Sequence, residues 1–401
     1  MTKQTRFNYA FIAITLLYAI FTGLFKLRGV YYIELLFLVM SMINTGVSSG
    51  NLKYAFRQPA IIIWSVWLVY TFIVRFFAGY RSDNEIYSIL HIFFLPISVM
   101  IIVFVEAMKN MRRTTLFILV IETLFVILGL TLQSRGSGTG TGWEARGGMD
   151  LGNALPLNAV TMAFFAAWAY VKGYIKERTL YILLAISLMG IFFTSTRKAF
   201  AGWAIGCVFV ALTKFDYHKP ANLFKLAVIA IIAYMALQLM MTYTMMGQRF
   251  NQVEDAGEFA MRNYETVWWL KPLGDRALHY ILGWELFLEH PIFGIGIHNF
   301  QSITNFAVPI HSEYIVQLCE CGIIGTVLYL LFNYQLLKGI LKHKKYISNK
   351  EGLILLSALA TLYFISLTAW QYDAVRIFAQ NGIIIAACTK YVTNHRKRKQ
   401  N

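Results

Sequence analysis

Long apolar runs separated by short basic connectors dominate the chain, and no segment alternates apolar and polar positions over the length of a transmembrane strand. Each run has the length that carries a helix across a hydrocarbon core, about 17 to 25 residues. Lipid offers the backbone no hydrogen-bond partner, so only helices and closed barrels cross it, and continuous runs select helices. The pattern predicts spans over 8–25, 29–46, 58–78, 86–106, 114–132, 153–171, 179–195, 197–213, 225–245, 312–336, 353–370 and 374–391. The expected fold is therefore all-α: a polytopic membrane protein with about 12 transmembrane helices and one large outer loop containing short helices. The first run is long and lacks a small-residue cleavage site after it, so it reads as a retained span.

Four parts follow from the spacing of the runs. Residues 1–132 hold N-terminal spans with short connections. Residues 133–245 hold central spans and an outer loop rich in glycine and arginine. The large outer loop is 246–311, and 312–401 holds the last spans and a basic tail. Within the spans, Glu34 and Glu122 interrupt apolar stretches. An ionised group there is costly, so both are expected to face the bundle interior.

Composition agrees with this class: 58% of residues are hydrophobic and 14% charged. The 36 basic residues outnumber 20 acidic ones for a net charge of +16. Most of that excess follows the positive-inside rule. Lysines and arginines cluster at Lys3/Arg6, Lys53/Arg57, Lys109/Arg112/Arg113, Lys172/Lys176/Arg178, Lys214/Lys219/Lys225, Lys338–Lys350 and Lys390–Lys399, which places both termini on the cytoplasmic side. No nucleic-acid partner is implied.

The basic residues left on the outer side differ in kind. They are mainly arginines, at positions 28, 75, 81, 135, 146, 197, 249, 262, 276 and 376. A guanidinium grips phosphate oxygens in a fixed fork and stays charged at any relevant pH. The bias points to an anionic, phosphorylated ligand on the outer face, against the alternative that each arginine snorkels to headgroups. Arg197 stands at the start of a predicted helix after Thr194, Ser195 and Thr196, whose hydroxyls could cap it. Arg276 opens a stretch in which Ala277, Ile281, Trp284 and Leu288 form one apolar face suited to the membrane surface. Arg146 lies in the glycine-rich loop and Arg249 in the large one. No P-loop spacing supports a nucleotide.

The large loop ends in HPIFGIGIHNF at 290–300, where Gly294 and Gly296 predict a sharp turn, and the chain re-enters the membrane at His311-Ser312. On an ideal helix Gly322 and Gly325 share a face with His311, while Glu320 points nearly opposite. The glycines are expected to admit a neighbouring helix below the histidine. His290 and His298 are rival bases. Asp373 and Arg376 form a local pair or orient an acceptor. The four cysteines fall within predicted spans, and no spacing suggests a disulfide framework, a metal site or a cofactor.

His311-Ser312 followed by Gly322-x-x-Gly325, Arg276 ahead of His290-Pro291-x-x-Gly294-x-Gly296, and Thr196-Arg197 together resemble the O-antigen ligase and O-antigen polymerase superfamily of bacterial envelope glycosyltransferases. Ala201 stands where ligases often carry leucine, four residues after the arginine. The resemblance implies a bacterial inner-membrane enzyme acting at the periplasmic face without metal or cofactor. It would transfer a glycan, with inversion, from an undecaprenyl diphosphate-linked donor to a sugar hydroxyl. The acceptor would be lipid A core for a ligase, the favoured reading, or a lipid-linked glycan for a polymerase. His311 would be the catalytic base, with Arg197, Arg276, Arg146 and Arg249 on the diphosphate and Ser312, Gly322, Gly325 and Asp373 in support. A lipid-linked sugar transporter is the reading from another class; the chain shows no clear internal repeat of the kind transporters carry.

Overall fold

A computed structural model describes residues 2–25, 50–79, 94–135, 149–194, 196–214, 276–304, 310–342, 347–369 and 374–400, with single positions at 36, 39, 40, 43 and 224. The spans expected over 29–46 and 225–245 lie outside the described residues, apart from these single positions. Among the described residues every regular element is a helix.

In chain order these are α1 (Lys3–Phe25), α2 (Gly50–Ala55), α3 (Pro59–Ala78), α4 (Leu95–Arg135), α5 (Met149–Val171), α6 (Glu177–Thr194), α7 (Arg197–Lys214), α8 (Arg276–Glu289), α9 (Phe300–Thr304), α10 (Glu313–Lys342), α11 (Asn349–Ser366) and α12 (Val375–Gln400). Among the described residues four stretches are long and apolar enough to cross a membrane: Pro59–Ala78, Leu95–Thr131, Ala154–Val171 and Glu313–Lys342. The molecule is an integral membrane protein.

The sequence predicts two spans where α4 covers 41 residues, about 60 Å of helix and twice the thickness of a hydrocarbon core. The two are nonetheless distinct, because Asn110 leaves helical geometry at φ −149°, ψ 91°. Its Oδ1 accepts the N–H of Arg113 at 2.9 Å. A side-chain acceptor thus restarts the helix as an N-cap does, amid Lys109, Arg112 and Arg113. A single kinked residue replaces the expected connector.

Helix α12 packs along α4, α11 on α7, α5 on both α4 and α6, and α3 against α10. At the last junction Trp64 and Trp67 stack at 4.5 Å, and Trp64 also meets Phe332 and Phe378 at 4.8 and 4.7 Å. This aromatic cluster joins α3, α10 and α12 at full burial, and edge and offset ring contacts give it a defined geometry. Its polar edge faces the candidate site, because the Trp67 indole donates to Gln317 Oε1 at 3.0 Å.

Glu122 is fully buried, as its apolar surroundings in the sequence predict. Arg376 from the start of α12 opposes the cost of its burial. Arg376 also donates through Nη1 to the carbonyl of Ala154 and lies 6.0 Å over the Phe125 ring. That arginine is committed to the bundle interior.

Candidate active site

The histidine at the mouth of α10 is held from three directions. His311 and Ser312 are buried and precede the first helical residue, Glu313. The carbonyl of Ser312 accepts the N–H of Val316 at 2.9 Å and so opens the helix. From α8, the Tyr280 hydroxyl lies 3.1 Å from the carbonyl of His311 and 2.6 Å from that of Leu367, tying α8 to the end of α11. Also from α8, His279 lays its ring 6.1 Å from that of His311, with the planes only 18° apart. The Phe300 ring of α9 lies 6.0 Å from that of His279.

The sequence reading missed His279 and Glu313. Glu313 is wholly buried and accepts a 2.9 Å hydrogen bond from the Gln317 amide, which is itself fixed by Trp67. A signal for both was present. Both stand in the sequence, a buried acid two residues after His311 and a histidine three residues into the helix that Arg276 opens, and His279 meets His311 once α8 packs on α10. Only that packing reveals it.

Two segments read separately in the sequence interlock below the histidine. Helix α10 breaks at Gly322, where φ is 63° and ψ −171°. A break frees backbone groups that cost several kcal/mol each if left unpaired in an apolar setting. Residues 291–296 meet them: the Ile295 and Gly296 N–H groups donate to the carbonyls of Cys319 and Glu320, both at 2.9 Å. In return the Ile323 N–H donates to the carbonyl of Pro291 at 2.9 Å. The Tyr70 hydroxyl of α3 completes the junction at the Cys321 carbonyl, 2.8 Å away.

This pairing demands glycine on both sides. A Cβ on Gly322 would fall 2.3 Å from the Ile292 carbonyl oxygen, and one on Gly294 would fall 2.5 Å from the Glu320 carbonyl carbon. Gly294 and Gly296 do turn sharply, with φ of 74° and 87°. The expected role of Gly322 is corrected: it admits a strap of turns where a neighbouring helix was expected. The ideal-helix count fails there because the helix is interrupted. Gly325 does face a helix, with its Cβ direction 2.9 Å from the Tyr70 ring.

Beside the strap lies a buried polar cluster. Glu320 accepts from the backbone N–H of Phe300 at 3.4 Å and from that of His298, and its charge faces Arg75 of α3. Glu320 thus serves the loop. His298 adopts φ 64°, unusual for a residue with a side chain. Burial pushes its imidazole down to about 4, and the Arg75 charge adds to the effect. It is thereby a weak base. His290 is exposed, and its carbonyl accepts the Gly294 N–H at 2.9 Å, a turn-forming role.

The predicted arginines fall in two groups. Arg197 is the first residue of α7 and Arg276 the first of α8, so both backbones sit at helix N-termini, where unpaired N–H groups carry positive potential. Their side chains, and all of Arg146, Arg249 and Asp373, lie outside the described residues. The threonines before Arg197 do not cap α7 with their hydroxyls. Thr194 Oγ1 turns back to the carbonyls of Gly190 and Ile191, and Thr196 Oγ1 to that of Thr194, while the Thr196 carbonyl accepts the Phe200 N–H. The short link between α6 and α7 lets the end of α6 claim these hydroxyls.

Residues 182–330 match the family described as O-antigen ligase. Over these residues, less than half of its length, the chain is similar to the O-antigen ligase family. The O-antigen ligase segment runs from α6 through α7, α8 and the strap to the middle of α10. It thus encloses Arg197, Arg276, His279, His311, Gly322 and Gly325, and leaves out Arg146 and Asp373. The two interlocked motifs are therefore parts of one family segment. No curated protein matches the chain.

Proposed function

We propose that the protein is an O-antigen ligase that transfers a glycan from undecaprenyl diphosphate to a hydroxyl of lipid A core at the periplasmic face of a bacterial inner membrane. The observation that carries the reading is the placement, within the O-antigen ligase segment, of His311 at a helix mouth beside His279 and of Arg197 and Arg276 at two helix N-termini. In this reading about twelve spans cross the membrane, both termini are cytoplasmic, and the four divisions of the chain keep their boundaries.

The chemistry follows from the groups. The acceptor hydroxyl attacks the anomeric carbon of the donor sugar while the bond from that carbon to the diphosphate oxygen breaks. The electron pair leaves with undecaprenyl diphosphate, and attack from the opposite face inverts the carbon. His311 receives the hydroxyl proton, a task suited to an imidazole near neutrality. Arg197 and Arg276, aided by the N-terminal ends of α7 and α8, stabilise the charge that grows on the diphosphate. Arg146 and Arg249 are further contributors and Asp373 orients the acceptor. His279 is a positioning residue whose parallel ring holds the plane of His311. This reading assigns no metal and no cofactor.

The test is a reconstituted reaction in EDTA containing purified protein, undecaprenyl diphosphate-linked oligosaccharide and lipid A core. Wild type should place glycan on lipid A core, and His311→Ala should lose about 10²- to 10⁴-fold in rate, the usual contribution of a general base. A ladder of longer undecaprenyl-linked chains would reassign the acceptor and make the protein a polymerase. Equal rates for wild type and variant would remove His311 from the chemistry.

A further inference from the structure

We infer that a cavity at the end of the bundle opposite His311 binds the headgroup phosphate of an anionic membrane lipid. The cavity measures about 350 Å³ and opens between the α2–α3 joint, the last turns of α10, and α12. Its polar lining comes from Tyr54, Gln58, Gln335, Lys338, Lys342 and Thr389. Lys338 lies 27 positions after His311, about 40 Å further along α10. The two sites therefore occupy opposite ends of one helix.

Three features select the ligand. Lys338 and Lys342 are one helical turn apart, so both stand on one face of α10, with the Lys338 ammonium 5.6 Å from the centre of the Tyr334 ring, and none of the lining residues is acidic. The wall they face is ordered: Thr389 Oγ1 donates to Gln58 Oε1 at 3.1 Å and Gln58 Nε2 to the Tyr54 carbonyl at 3.2 Å. Gln58 also precedes Pro59, the first residue of α3, so the positive end of a 20-residue helix adds to the lysines. The remaining lining includes Ala60, Leu336, Ile384 and Ile385. Tyr334 and Leu341, each 52% exposed, lie beside the lysines on the outside of α10. Charge alone would suit an inorganic phosphate. Cations beside apolar walls and an exposed apolar flank suit an amphiphile, and basic pockets between transmembrane helices capture anionic headgroups in this way.

The inference is independent of the reaction proposed above, because it uses only the far end of α10. The experiment takes the purified full-length protein and measures lipid retention by native mass spectrometry and the melting midpoint. The arms are phosphatidylglycerol vesicles, phosphatidylcholine vesicles and sodium phosphate. Phosphatidylglycerol should remain bound and raise the midpoint of wild type, and Lys338→Gln/Lys342→Gln should weaken retention about tenfold or more. A second double variant, Lys176→Gln/Lys350→Gln, removes the same charge at exposed positions elsewhere and should bind as wild type does. Equal retention of the two lipids, equal loss in both double variants, or a midpoint rise with sodium phosphate alone as large as with phosphatidylglycerol would each overturn the assignment.

Discussion

His298 shows how a residue's neighbours decide its chemistry. In sequence it rivals His311 as a base, since both stand near the same membrane entry. In the structure it is enclosed beside Arg75, and its imidazole is held neutral down to about pH 4. The consequence for stability has a definite sign. Between 6.5 and about 4 the unfolded chain binds a proton that the folded one refuses, so this residue takes stability away as pH falls through that window. Below it both states are protonated and the loss stops. Replacing His298 by asparagine removes the titration while tolerating the positive φ. In detergent, the melting midpoint of wild type should fall more steeply between pH 6.5 and 4 than that of His298→Asn. Parallel curves would show that the buried imidazole does not set the difference. At this scale the sequence offered residue types, but not burial: nothing in HPIFGIGIHNF distinguishes an enclosed histidine from an exposed one.

At the scale of the element, the join between α10 and the strap is a single construction made from two distant motifs. Gly322 breaks α10, and the backbone of 291–296 fills the break. Gly322→Ala meets both a positive φ, which costs about 1–2 kcal/mol for a residue with a Cβ, and the Ile292 carbonyl at 2.3 Å. Backbone cannot yield as a side-chain end does, so the variant should lose at least about 2 kcal/mol in thermal or denaturant unfolding. Gly352→Ala is the control. It lies in the first turn of α11 with its nearest neighbour 4.0 Å away, and should be neutral or slightly stabilising. If the two variants melted together, the close backbone approach would carry no energetic weight. Each glycine was visible in the sequence as a candidate for close packing. Its partner was not, because a helical wheel assumes the helix continues.

Across the whole molecule, polar groups buried in one helix depend on helices far apart in the chain. Glu122 of α4 relies on Arg376 of α12, which is anchored on the Ala154 carbonyl of α5. Removing the arginine takes away the positive potential that opposes the burial of the Glu122 carboxyl, together with the donor to the Ala154 carbonyl, an effect of about 1–3 kcal/mol. Arg376→Met should therefore lower the melting midpoint strongly, and adding Glu122→Gln should restore much of it. A double variant no more stable than the single one would show that the arginine acts through its carbonyl contact alone.

By itself the sequence determined the class of fold, the positions of most helices and the order of the motifs. Hydrophobic length and basic connectors are local properties, and lipid enforces them residue by residue. It also marked Arg197 and Arg276 as helix openers and His311 as the residue at a helix mouth, positions that the helix boundaries now occupy. The tertiary structure alone decided which polar groups meet. It placed His279 against His311, turned Arg376 inward, spent the Thr194 and Thr196 hydroxyls on α6, and fitted the strap into the break at Gly322. Those outcomes depend on how helices distant in sequence cross and on which backbone groups a break leaves to be paired, and neither is encoded in the periodicity of any single segment.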